Sequence, residues 1–125
     1  MANQRSAKSV AIVDDDESVR SALLGTMKAA GLAARAFASA EEYLASGEQD
    51  ETGCLIADIR LPGMSGLELQ ARLEAECRLI PIVFISAHGD DEMRLRAMRA
   101  GAVEFLAKPF DRKVLLDYVR AALES

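Results

Sequence analysis

The stretch VAIVDDDESVR, residues 10–20, decides how the rest of the chain is read. Four apolar residues run on without alternation, then stop on three aspartates and a glutamate. A continuous short apolar run suits a strand covered on both faces of a sheet, and acids straight after it suit the first turn of a helix. From Val19 onward the spacing changes to that of a helix. Val19, Ala22, Leu23, Thr26, Met27 and Ala30 recur at three- and four-residue steps, and Gly31 stands where the helix would close.

The same alternation continues along the chain. Further apolar runs lie at 33–37 (AARAF), 54–58 (CLIAD), 82–86 (IVFIS) and 102–107 (AVEFLA), after a first strand at 9–13. Between them stand segments with helical spacing. SAEEYLAS offers Ser39 and Glu42 as a capping box. A third helix is expected from about Gly66 to Cys77 on Leu67, Leu69, Ala71 and Leu73. A fourth, from about Asp90 to Ala100, carries Met93, Ala97 and Ala100 before Gly101, and the last runs from Asp111 to Leu123 on Val114, Leu115, Tyr118, Val119 and Ala122. Five strands alternating with five helices imply an α/β fold, a doubly wound parallel sheet with helices on both faces.

Composition narrows the class. The chain has 125 residues, half of them apolar, and a net charge of −5. That fits a single domain over 1–125, opened by a polar lead at 1–8, with no linker or repeat inside it. The negative charge argues against direct nucleic-acid binding by this segment. No apolar stretch approaches membrane-spanning length, so no membrane association is expected and the location expected is cytoplasmic. Cys54 and Cys77 fit neither a disulfide framework nor a metal-binding spacing.

The chemistry gathers after the strands, in DDDES, DIRLPGMSG, SAHGD and KPF. In open parallel sheets ligands bind outside the carboxyl ends of the strands, so these loops define one candidate site. Asp14 and Asp15 end the first strand and Asp58 the third. If those strands are neighbours, three carboxylates crowd together and oppose one another's ionisation, a conflict that a hard divalent cation with oxygen ligands removes. Ser86 adds a hydroxyl to that edge and Lys108 a mobile positive charge. Helix capping alone accounts for Asp16 and Glu17, but not for Asp58 or for a lysine set before Pro109.

These motifs, in this order and spacing, resemble the receiver domain of bacterial two-component response regulators over nearly the whole chain. The resemblance implies a CheY-like, flavodoxin-like sheet of order 2-1-3-4-5. It implies that Asp58 is the phosphoacceptor, taking a phosphoryl group from a sensor histidine kinase, with Mg²⁺ or Mn²⁺ as cofactor. Asp14, Asp15, Asp58 and the Arg60 main-chain carbonyl would hold the metal, and Ser86 and Lys108 would pair with phosphoryl oxygens. Such a domain is a signalling element rather than an enzyme, catalysing only its own phosphoryl transfer and slow autodephosphorylation. Phe105 falls at the family's switch aromatic, though a plain core position on the fifth strand suits it as well. Lys108–Pro109 matches the family's cis peptide. Ala87, His88 and Pro109 are expected to border the site.

The stretch from Ser86 to Phe110 most resembles the FixJ-type branch, whose receivers usually precede a DNA-binding domain and pair through the fourth helix and fifth strand. The face formed by helix 4, strand 5 and helix 5 is thus the expected output surface for transcription control. Homodimers would form there on phosphorylation, with Arg94, Arg96 and Arg99 beside Leu95 and Met98. Those two apolar residues could instead complete a core face. No output domain lies within 1–125, and the sequence leaves open whether the native protein carries a C-terminal one or is a stand-alone receiver. A phosphatase of the haloacid dehalogenase type, suggested by the D-x-D-x-S pattern at 14–18, is the enzymatic alternative; it would phosphorylate Asp14 rather than Asp58. A receiver that docks partners without phosphorylation would lack part of the acid, hydroxyl and lysine set, all of which is present. Neither GxGxxG nor GxxxxGK[ST] occurs, which sets aside a nucleotide-binding domain.

Overall fold

In a computed structural model, which describes residues 8–87 and 91–124, strands and helices alternate as the apolar pattern requires. They are β1 (Ser9–Val13), α1 (Glu17–Ala29), β2 (Ala34–Phe37), α2 (Ala40–Ser46), β3 (Thr52–Asp58), α3 (Gly66–Ala75), β4 (Ile82–Ser86), α4 (Asp91–Arg99), β5 (Glu104–Ala107) and α5 (Arg112–Leu123). A 3-10 turn over Glu48–Glu51 leads into β3. All four strand pairings are parallel and the order is β2-β1-β3-β4-β5.

Side chains alternate across a strand, so a sheet covered on both faces needs apolar residues at every position. Val10 and Ile12 of β1, Cys54 and Ile56 of β3, and Val83 and Ile85 of β4 pack with Leu23 and Met27 of α1 and Leu115 and Val119 of α5. Ala11, Val13, Leu55, Ala57, Ile82 and Phe84 point the other way, onto Tyr43, Leu69, Leu73 and Ala97 from α2, α3 and α4. The uninterrupted runs in the sequence are therefore two half-cores interleaved. Both cysteines are free; burial of Cys54 pushes its thiol pKa up to about 12, which leaves it an inert core residue.

The boundaries move where polar residues or turn geometry take over. β3 starts at Thr52 rather than 54, because Thr52 pairs with Ser9 and its hydroxyl accepts a buried 2.9 Å hydrogen bond from Tyr43. β5 starts at Glu104 rather than 102, because the N–H of Ala102 closes α4 by donating to Ala97 O. α3 stops at Ala75 in a Schellman turn, with the N–H groups of Cys77 and Arg78 donating to Glu74 O and Leu73 O. Cys77 then occupies the left-handed region at φ 59°, a place that favours glycine. In α2 the Ser39 hydroxyl caps the N–H of Glu42, but the Glu42 carboxylate returns to Ala38, one residue before the expected partner of a capping box. Of the expected helix stripes, Ala22, Ala71, Ala100 and Val114 are exposed.

Candidate functional site

The strand order creates the site. Moving from β1 to its two neighbours, the connections run in opposite directions, and ligands in doubly wound sheets bind at this reversal. Val13 pairs with Ala57, so Asp14 and Asp58 emerge side by side from β1 and β3. Asp14, Asp15 and Asp58 each bring a carboxylate oxygen within 4.8 Å of the others. Asp14 is fully buried and Asp58 nearly so, whereas Asp15 is exposed, as the period of two dictates for consecutive residues leaving a strand.

Lys108 reaches across from the end of β5. Its ammonium donates to Asp58 Oδ2 at 3.0 Å and to Asp14 Oδ2 at 3.1 Å. The Lys108–Pro109 peptide is cis, as the motif led one to expect. Burial works to discharge the lysine, but the two carboxylates outweigh it and hold its pKa above the usual value. For Asp14 burial wins: it raises the carboxyl pKa and disfavours the charged form, with Asp58 adding to the effect, and the Asp16 N–H and Lys108 offset this only in part. One ammonium against three carboxylates leaves the cluster with net negative charge. Oxygen donors this close and this charged suit a hard divalent cation such as Mg²⁺ or Mn²⁺.

The remaining residues fall around this centre. Ser86 is fully buried at the end of β4, in register with Ala107, and its carbonyl accepts from the Lys108 N–H at 2.7 Å. Arg60 is exposed, and its N–H donates to Asp58 Oδ1 at 2.9 Å, which fixes the carboxylate opposite Lys108. Asp16 caps α1 by accepting from the Ser18 N–H, in line with its expected structural role. Ala87 and Pro109 are exposed on the rim. Phe105 is buried in the core, paired across the sheet with Phe84. His88 lies outside the described residues.

Several contributors were not singled out from sequence. Arg20 of α1 reaches back to donate to the Asp14 main-chain carbonyl at 2.8 Å. Gly66 packs so tightly that a Cβ there would come within 2.7 Å of Asp58 O and 2.9 Å of the Ile59 Cα. Ser65 and Glu68 form a complete capping box at the start of α3, a signal that SGLE carries openly. Glu41 of α2 accepts a hydrogen bond from the Met64 N–H, in the loop after β3. No local pattern marks Gly66 or Glu41, because both contacts depend on how separate elements cross.

Comparison with known proteins agrees with this geometry. Residues 10–120 match the family model for the response regulator receiver domain. The chain is 50% identical to nodulation protein W of Bradyrhizobium diazoefficiens over 92% of its own length and 51% of that protein. It is 39% identical to the transcriptional regulatory protein FixJ of Azorhizobium caulinodans, covering 91% of this chain and 54% of the relative. It thus spans about half the length of the curated relatives it matches. Among solved structures, the FixJ-N crystal structure superposes with a TM-score of 0.86 at 39% identity and 95% coverage of both chains. Response regulator StyR gives a TM-score of 0.88 at 47% identity, covering 95% of this chain and 60% of that one. On motif, fold and kinship together, this chain belongs to the response regulator receiver domain family.

Proposed function

We propose that this domain is the phosphoacceptor of a two-component signalling pathway, with Asp58 taking a phosphoryl group from a sensor histidine kinase. The observation that carries the reading is the placement of Lys108 between Asp58 and Asp14, beside a third carboxylate. An Asp58 carboxylate oxygen attacks the phosphorus of a phosphohistidine. The P–N bond breaks, its electron pair leaves with the imidazole, and an acyl phosphate forms on Asp58. Arg60 N–H and the Lys108 ammonium hold the Asp58 carboxylate in place for that attack. Lys108 and the Ser86 hydroxyl would pair with phosphoryl oxygens once they arrive. Asp14, Asp15, Asp58 and the Arg60 carbonyl would hold Mg²⁺ or Mn²⁺, which supplies charge neutralisation for the transferring group. Such a domain acts on itself, including its slow autodephosphorylation, and not on a separate substrate.

The output surface is the face of α4, β5 and α5. Leu95 is 55% exposed and Met98 37% exposed on α4, beside the exposed Arg94, Arg96 and Arg99, so these apolar side chains do not complete a core face. Phosphorylation would draw Ser86 toward the phosphoryl group, favour the inward position of Phe105, and bias this face toward pairing with a second copy. A shift from 1:99 to 99:1 needs a differential of about 5.5 kcal/mol. Relatives named as transcriptional regulatory proteins, about twice as long, suggest that the signal passes to a C-terminal DNA-binding domain in the cytoplasm.

Labelling with a small phosphodonor such as acetyl phosphate tests the centre of this reading. Asp58→Asn should fold and take up no label, and the parent should label only with a divalent metal present. Label that survives Asp58→Asn and disappears in Asp14→Asn would favour the phosphatase alternative. Sedimentation with and without beryllofluoride tests the output: a monomer in both states at tens of micromolar would remove dimerisation.

A further inference from the structure

The loop between β3 and α3 carries Arg60, and most of its hydrogen bonds are made within itself and its own helix. Arg60 N–H returns to Asp58, Gly66 N–H to Ile59 O, and Ser65 and Glu68 cap one another. Glu41 is different, because it reaches the loop from the first turn of α2, 23 residues away in sequence. Its Oε2 accepts from the Met64 N–H at 2.8 Å. Gly63 makes the approach feasible: its φ of +72° lies in the left-handed region, and a Cβ there would stand 2.6 Å from the same Oε2. That N–H also holds the Glu41 carboxyl below the usual carboxylate range, so the acceptor stays charged at neutral pH.

We propose that Glu41 is a positioning residue for metal binding, a strut from α2 that holds the β3–α3 loop in the shape that presents Arg60 to the acid cluster. The inference rests on the metal reading given under Proposed function. The physical case is one of preorganisation. Pro62 and Gly63 at the loop tip are exposed, and the Glu41 carboxylate is the group that lies against the backbone at Gly63. Without the strut, the loop must be ordered when the cation binds, and that entropy comes out of the affinity.

Neighbouring Glu42 supplies the control. Its carboxylate also accepts a backbone N–H at the start of α2, from Ala38, and among the described residues no hydrogen bond joins it to the loop. The experiment measures Mn²⁺ affinity by electron paramagnetic resonance, and Met64 amide exchange by NMR in chelator, for the parent, Glu41→Ala, Glu41→Gln and Glu42→Ala. Glu41→Ala is expected to weaken Mn²⁺ binding roughly three- to tenfold, the span of one net hydrogen bond, and to speed exchange at Met64 in the metal-free protein. Glu41→Gln keeps an acceptor oxygen and should restore most of both. Glu42→Ala should lower the melting temperature and leave both readouts at parental values. Unchanged Met64 exchange in Glu41→Ala overturns the strut. Faster exchange with parental Mn²⁺ affinity overturns its role in metal binding while leaving the acid cluster as the metal site. A parent chain with no measurable Mn²⁺ affinity overturns the metal reading itself, and this inference with it.

Discussion

Asp15→Asn should make the metal-free domain more stable and the metal-loaded domain comparatively less so. Asp15 is exposed, and among the described residues no hydrogen bond or ion pair holds its side chain, so the amide loses no partner. At the 4.8 Å bound on the cluster, two unit charges in water interact by about 0.9 kcal/mol. Screening at physiological salt, with a Debye length of about 8 Å, reduces that by roughly half. Lys108 neutralises one of the other two carboxylates, so Asp15 faces about one net negative charge. Removing it should stabilise the fold by about 0.4–0.5 kcal/mol in chelator, or about 1–3 °C for a domain of this size. At a Mg²⁺ concentration tenfold above its dissociation constant, the parent gains about 1.4 kcal/mol by mass action. A variant that binds tenfold more weakly gains only about 0.4 kcal/mol at the same concentration, so its advantage closes or reverses. Thermal melts in EDTA and across a Mg²⁺ titration measure both. A variant that melts below the parent in EDTA refutes the repulsion argument, and one that gains as much from Mg²⁺ as the parent refutes Asp15 as a ligand.

Three further outcomes follow from particular contacts. Gly66→Ala should cost about 1–3 kcal/mol or more, because its Cβ meets backbone at Asp58 and Ile59 rather than a flexible side-chain end; a denaturant midpoint equal to the parent's would show that the loop yields freely. Cys77→Gly should stabilise by about 1 kcal/mol, since glycine enters the left-handed turn at φ 59° without the Cβ penalty; an unchanged or lower melting temperature would contradict this. Lys108 has a folded pKa above its unfolded 10.5, so its pairing stabilises fully below that value and is lost as the pH rises through the folded one. The stability gap between the parent and Lys108→Met in chelator should therefore be widest at pH 9 and narrow at higher pH. Both tyrosines titrate in each protein and cancel, and a gap that stays constant would remove the linkage.

The sequence by itself determined what depends on short-range periodicity. Val10–Val13 and Ile82–Ile85 announce strands covered twice, because alternate residues must both be apolar when both faces are buried. Gly31 announces the close of α1, and its φ of 77° shows why glycine stands there. Asp16 announces the start of the same helix by capping it. The DDDES, DIRLPGMSG, SAHGD and KPF motifs carried the family resemblance, and through it the strand order that no local pattern encodes. Tertiary structure alone decided which of two adjacent aspartates is buried and which is exposed, and that a lysine 94 residues away would reach the buried one. It also decided that Leu95 and Met98 face outward, although the helical pattern fits a core face equally well. Glu41 shows the reason most plainly. Its place on α2 is local and legible, but its contact with Met64 exists only because the sheet order brings α2 beside the loop that follows β3. Periodicity is a property of a few neighbouring residues; adjacency in a doubly wound sheet is settled by the whole chain at once.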